Sequence, residues 1–444
     1  LGAAFIMPST LSILVNVFPP EERTKAIAIW ASITGAAGAV GPISSAFVLE
    51  HFGYGAVFLV NVPFVTLAFV GGIFLVPRSK DPEQGVLDPV GALLSIIGIG
   101  SLVYGLIEAP DAGWGSAGTL AAFAVAAVAL LLFVLWELRV DEPMLDMRFF
   151  KNPAFSTGTG GMILVFMAMY GSMFLTTQYL QLVLGFSPIE AALRLLPMAP
   201  IMLIVAPFTP RISVRFGANR TVAAGMGLIA LGFLLFAQLG VDSSYPFLLV
   251  GMFPSVAGVS LAMSPMTAAI MSAVPSRRAG AGSAMNDATR ELGAALGIAV
   301  LGSAAASQYS SALHDLTVSL PSAAADAAST SLAGALQVAS SLPGEAGRLL
   351  ELGAETAFMD GFHFASYAGA VVSVVSAFLV WRYLPRELAH EGALKGGGES
   401  LEDVAELGLG GVLPVFPDEV FPGDERRDGD LARRQDIRGP EPAQ

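Results

Sequence analysis

Three ionisable residues stand inside an apolar stretch: Asp287, Arg290 and Glu291, between Gly280 and Gly302. Asp287 and Glu291 are four apart and Arg290 is three from Asp287, so a helix brings all three to one side. Gly293 and Gly297 continue the Arg290 row as a strip of small residues that lets another helix approach closely. With a helix start near Gly280, Glu291 lies roughly 15 Å along the axis, about the middle of a ~30 Å hydrocarbon core. Charges at that depth are costly unless paired or facing an aqueous cavity, and they mark substrate or proton paths. An acid beside a base can change protonation as its surroundings change, which is what coupling to protons requires. The bland alternative is an internally neutralised cluster that fixes helix packing.

The elements that must carry these residues are membrane helices. The chain has 444 residues, 54% hydrophobic and 13% charged, against about 25% charged in soluble domains. Apolar runs of spanning length recur between short charged links. They predict an all-α polytopic membrane protein with about eleven transmembrane helices. The first ends near residue 17, and the others cover about 26–49, 56–76, 89–107, 119–138, 154–184, 188–207, 221–239, 246–273, 280–306 and 357–384. Trp114, in the link between the fourth and fifth, suits an interfacial anchor. Residues 307–355 read as an Ala/Ser-rich loop in which 332–338 could form a surface helix. Residues 385–444 read as a disordered acidic tail, with 14 acidic against 7 basic residues after Pro385. That tail supplies about half of the net charge of −13.

Lys and Arg alternate between links. Arg23 and Lys25, Arg78 and Lys80, Arg139, Arg148 and Lys151, Arg211, Arg215 and Arg220, Arg277 and Arg278, and Arg382 and Arg386 fall on one side. The positive-inside rule makes that side cytoplasmic, with the C-terminal tail inside and residues 307–355 outside. An odd helix count then puts Leu1 outside, in mid-helix, as expected of an N-terminally truncated chain.

Several function classes find no support. There is no Cys, hence no disulfide, thiol chemistry or Cys-based metal site. No basic patch interleaves with aromatics, so nucleic acid is not an expected partner. No cofactor or metal motif is present, and the four histidines do not cluster. A membrane-embedded enzyme is the rival reading, but neither His-Glu-x-x-His nor Gly-x-Ser-x-Gly occurs. A non-transporting membrane scaffold is the third.

The run Gly35-Ala36-Ala37-Gly38-Ala39-Val40-Gly41-Pro42-Ile43-Ser44-Ser45-Ala46 resembles the antiporter motif on the fifth helix of the major facilitator superfamily. Gly35, Gly38 and Gly41 clear a helix face, and Pro42 frees a carbonyl and bends the axis. The family's Gly-Gly after Gly-Pro is Ser45-Ala46 here. Residues 58–63 resemble the start of the sixth helix. Residues 178–188 and 195–198 resemble the ninth and tenth helices of the fourteen-helix drug:proton antiporter branch, and 286–302 its thirteenth. Residues 210–220 resemble the second copy of the cytoplasmic gating loop, which would assign Arg211, Arg215, Gly217 and Arg220 to a gate. Pro210 and Val214 replace the family's Gly and Asp.

The resemblance implies a major facilitator fold lacking about three helices at its N-terminus. Residues 1–76 would end the first bundle, 77–153 would hold the branch's extra helix pair, and 154–384 would form the complete second six-helix bundle. It also implies proton-coupled export of small amphipathic molecules or drugs by alternating access across the plasma (inner) membrane. Asp287, Arg290 and Glu291 would serve proton coupling. Asn61, Gln178, Tyr179, Gln181 and Asn286 are polar groups in apolar spans, open to cavity lining or to interhelical hydrogen bonding.

Overall fold

The computed structural model describes residues 41, 43–75, 88–141, 143–274, 279–318 and 320–387. Every regular element among them is helical. Nine stretches are long and apolar enough to cross a membrane among the described residues. The two spans read from the sequence before residue 50 fall mostly outside the description. What is described of them is a helix over residues 43–52, α1.

Helices α2 (Tyr54–Leu59) and α3 (Asn61–Leu75) form one span broken at Val60. Helices α4 (Pro89–Ala112) and α5 (Ala117–Glu137) form an antiparallel hairpin. Asp88 caps α4 by accepting from the Gly91 N–H at 2.8 Å, with Pro89 preorganising the first turn. Ser116 caps α5 through the Thr119 N–H. Gly91, Gly98 and Gly105 recur every seven residues and turn the same side of α4 to α5. A Cβ at Gly98 would meet Leu130 Cγ at 2.8 Å, one at Gly105 would meet Phe123 Cε1 at 2.8 Å, and one at Gly91 would meet Glu137 Oε1 at 2.8 Å. The repeat is a groove that receives large α5 side chains.

The remaining six spans share one core that runs from Ala154 to Leu384. The first is α6 (Pro153–Gln178), ending in a π turn over Tyr179–Val183. The second is broken into α7 (Pro188–Leu195), α8 (Met198–Val205) and α9 (Thr209–Phe216). Pro197, Pro200, Pro207 and Pro210 interrupt its hydrogen-bond ladder. It lies at the periphery and buries little. Next come α10 (Ala218–Phe236) and α11 (Tyr245–Ser272), which pack closely because Gly225 meets Gly258 and Gly232 meets Gly251, backbone against backbone.

Helix α12 (Ala279–Thr317) and helix α15 (Glu345–Tyr383) are 39 residues each. At 1.5 Å per residue each is about 58 Å long, nearly twice a hydrocarbon core. Sequence reading ended the first near residue 306 and began the second near 357. Instead both continue beyond spanning length at the same end, and between them α13 (Ser322–Thr330) and α14 (Leu332–Ser341) fold against them. Residues 307–355 are therefore a helical cap rather than an irregular loop. Tyr309 is 3% exposed and donates its hydroxyl to the Ala328 carbonyl at 2.8 Å. Leu313, Leu332, Ala335 and Ala354 extend the shared core into the cap, where Leu350 is also buried. Alanine-rich faces hide this packing from hydropathy, because their contacts come from close backbone approach rather than large apolar side chains.

Candidate functional site

The charged row sits near the start of α12, which packs mainly against α6 and α15. Arg290 Nη1 stands 4.0 Å from Asp287 Oδ1, with 34% and 41% of the two side chains exposed. The guanidinium carbon lies 5.6 Å from the ring centre of Phe166 on α6, within cation–π range. Phe166 stacks on Tyr170 one turn further along. The Arg290 Nε is buried and has no hydrogen-bond partner among the described residues. Glu291 is exposed. The three do not make one cluster. Arg290 and Glu291 fall on opposite sides of Asp287, since consecutive residues are 100° apart on a helix. Arg290 leans to α6 and pairs with Asp287, and Glu291 stands apart.

The glycine strip after the charges does what its spacing predicts. A Cβ at Gly293 would stand 2.5 Å from the Ile163 carbonyl oxygen, and one at Gly297 would strike the Met167 carbonyl. From the facing side, a Cβ at Gly171 would meet the Gly297 oxygen at 2.9 Å. The backbones of α6 and α12 therefore touch directly beyond the ion pair, which fixes the depth of Arg290 against Phe166. Asn286 is buried, and its Oδ1 accepts from the Thr267 hydroxyl on α11 at 3.3 Å.

The other residues singled out by sequence are dispersed. Tyr179 is fully buried and donates to the Gly240 carbonyl at 3.0 Å, so its phenol braces the link between α10 and α11. Gln178 and Gln181 are half-buried around the π turn, and Asn61 is exposed at the head of α3. Gly35, Gly38 and Pro42 lie outside the described residues. Gly41 is described, its carbonyl accepts from Ser44 Oγ at 2.9 Å, and among the described residues nothing lies within 4 Å of a Cβ built on it. Arg211, Arg215 and Arg220 are exposed at the link between α9 and α10. Gly217 there takes φ 95°, a left-handed conformation that favours glycine. The link clasps the end of α15: Ala218 N–H donates to the Arg386 carbonyl at 2.9 Å, and Asn219 Nδ2 to the Trp381 carbonyl at 3.2 Å.

Sequence reasoning missed Phe166, Tyr170 and Thr267, because each reads as an ordinary core residue until the helices are assembled. It also missed Arg194, whose guanidinium carbon lies 3.5 Å from the Phe186 ring centre. Trp114 was read as an interfacial anchor. It is partly exposed, and its indole donates to Ser303 Oγ on α12 at 3.0 Å, tying the hairpin tip to the bundle. Among the described residues no group of three His, Asp or Glu converges to hold a metal ion.

A six-span bundle with a helix hairpin packed on it, and an acid–base pair set on a tightly packed bundle helix, define a multi-pass membrane protein of transporter architecture. The Major Facilitator Superfamily model matches residues 1–298, and the chain belongs to that family. It is 35% identical over 315 residues to the multidrug resistance protein Stp of Mycobacterium tuberculosis, covering 71% of this chain and 58% of Stp. With the multidrug efflux pump LfrA of Mycolicibacterium smegmatis it shares 35% identity over 378 residues, 85% of this chain and 75% of LfrA. With the tetracenomycin C resistance and export protein of Streptomyces glaucescens it shares 34% over 391 residues, 85% and 72% of the two chains. The chain thus spans a little over half of Stp's length. Among solved structures, a bacterial homologue of the human lysosomal transporter Spinster, inward-facing and unoccupied, superposes with a TM-score of 0.50 over 86% of this chain and 74% of that one. At 19% identity that likeness concerns the fold alone.

Proposed function

We propose that the chain works as a secondary active exporter, exchanging protons for small amphipathic molecules by alternating access, and not as an enzyme or an inert scaffold. The observation that carries this reading is the half-buried Asp287–Arg290 pair beside exposed Glu291 on α12, in a chain whose similar proteins are named for drug resistance and efflux. Asp287 exchanges its bond to Arg290 for a proton as access alternates, and Glu291 passes protons to and from the aqueous face. The extended α6–α12 backbone contact holds the pair at a fixed depth while the bundle rocks.

In the same reading Gln178, Gln181, Asn286 and Asn61 offer polar contacts to substrate. The glycine run of Gly35, Gly38, Gly41 and Pro42 permits close helix contact. Arg211, Arg215, Gly217 and Arg220 form the cytoplasmic gate. Residues 1–76, 77–153 and 154–384 act as first-bundle end, inserted pair and second bundle, and 385–444 as a cytoplasmic tail. The protein resides in the plasma (inner) membrane, oriented by its Lys/Arg-bearing links.

The test is dye efflux from vesicles driven by an imposed pH gradient, with binding measured separately at equal pH. Asp287→Asn and Glu291→Gln keep size and hydrogen bonding but cannot release a proton. Each is expected to lose gradient-driven efflux while retaining binding. Normal pH-dependent efflux in both variants would make these carboxylates structural.

A further inference from the structure

Glu137 closes α5 and is 3% exposed. Its Oε2 accepts the Leu145 N–H at 3.2 Å, while its Oε1 is buried and has no hydrogen-bond partner among the described residues. The two carboxylates converge above Gly91, where a Cβ would stand 2.8 Å from Glu137 Oε1 and in collision with Asp88 Oδ2. Asp88 is already supplied with donors. Besides the Gly91 N–H, the Trp136 indole N–H lies 3.0 Å from each of its oxygens. The charged groups that act on Glu137 among the described residues are Asp88 at the head of α4 and Asp146 at the head of the 3-10 turn Met147–Lys151, both acidic.

A buried acceptor left without a donor costs about 1–3 kcal/mol, and more when charged. Two adjacent carboxylates do not both ionise cheaply. A resident metal ion would need further oxygen ligands, and no such group of three converges there among the described residues. One proton on Oε1 resolves both difficulties: it makes that oxygen a donor aimed at a carboxylate that only accepts. Glycine at 91 is then required, because any larger residue on that turn would stand between the two acids.

We propose that Glu137 carries a proton and shares it with Asp88, forming a clasp that joins both ends of the α4–α5 hairpin and holds them to the link entering α6. The proton is taken from and returned to solvent at the membrane face where α4 begins and α5 ends. The clasp is separate from the α12 pair and does not depend on export activity.

Glutamine is the natural probe, since its amide N–H donates where the carboxylic O–H would. Infrared spectra of the purified chain in detergent, compared between the native protein and Glu137→Gln at neutral pH, are expected to show a carboxylic C=O band in the native protein that the variant lacks. The native thermal midpoint is expected to fall as pH rises, relative to that of Glu137→Gln. The sign follows from linkage: the unfolded chain gives up a proton that the folded chain retains. Glu137→Ala, with no donor, is expected to have a lower midpoint than Glu137→Gln at every pH. An unchanged carboxylic band in Glu137→Gln would overturn the proposal, as would a variant destabilised by the same amount at all pH. A native midpoint raised by magnesium and unaffected in Glu137→Gln would replace the proton with a metal ion and overturn it too.

Discussion

Asp287 on α12 and Glu137 on α5 are both acids set beside close helix contacts, and the protein treats them differently. Asp287 is 41% exposed and has an arginine one turn away. Glu137 is 3% exposed, and the charged groups that act on it among the described residues are acids. In both places a glycine on a helix lets the group sit where it does: Gly293 and Gly297 bring α12 against α6, and Gly91 makes room between the two hairpin carboxylates. What differs is the compensating charge. A fixed cation suits a half-wet site whose acid must remain free to titrate, whereas a proton suits a dry joint that must remain shut.

The sharpest way to break the contrast is to remove the fixed cation. Arg290→Ala is expected to lower stability by about 1–3 kcal/mol, because it removes both the ring contact with Phe166 and a partly exposed ion pair. Thermal midpoints in detergent measure it, and a midpoint equal to the native one would make the pair incidental. Next come the glycines. Gly297→Leu should cost about 1–3 kcal/mol by forcing α12 away from the Met167 carbonyl. Gly91→Leu should cost a similar amount and should also abolish the pH dependence assigned to Glu137. If Gly91→Leu retained it, the two carboxylates would not be communicating. Asp287→Asn should change stability by less than about 1 kcal/mol, the usual range for a partly exposed ion pair, while abolishing gradient-driven efflux. Smallest of all, Glu137→Gln at neutral pH should stay within about 0.5 kcal/mol of the native protein.

The two sites also differ in how legible they were. Asp287, Arg290, Gly293 and Gly297 are neighbours in sequence, and helix periodicity alone puts them in register. Asp88 and Glu137 come from opposite ends of a hairpin. Each reads as a polar residue at the edge of a span, and only the antiparallel pairing of Gly91, Gly98 and Gly105 with α5 brings them together. The same limit explains Tyr179, which sequence left open between cavity lining and interhelical hydrogen bonding. Its partner, the Gly240 carbonyl, is distant in sequence and carries no side chain to signal it. Span positions were readable because hydropathy is a local property. The cap was not, because α13 and α14 are short, alanine-rich and stabilised by contact with the two helices they join.

The overlong helices α12 and α15 have a mechanical consequence. A rod of 39 residues is nearly twice as long as a hydrocarbon core is thick, and the length left beyond the core is a lever. Any rocking of the bundle within the bilayer reappears, magnified by the length of the outer arm, as a sweep of the cap. Because α13 and α14 strap the two rods together at their far ends, the arms swing as one. A fluorescent probe or a binding protein placed on the cap would therefore read out the stroke of the proposed alternating-access cycle from beyond the bilayer.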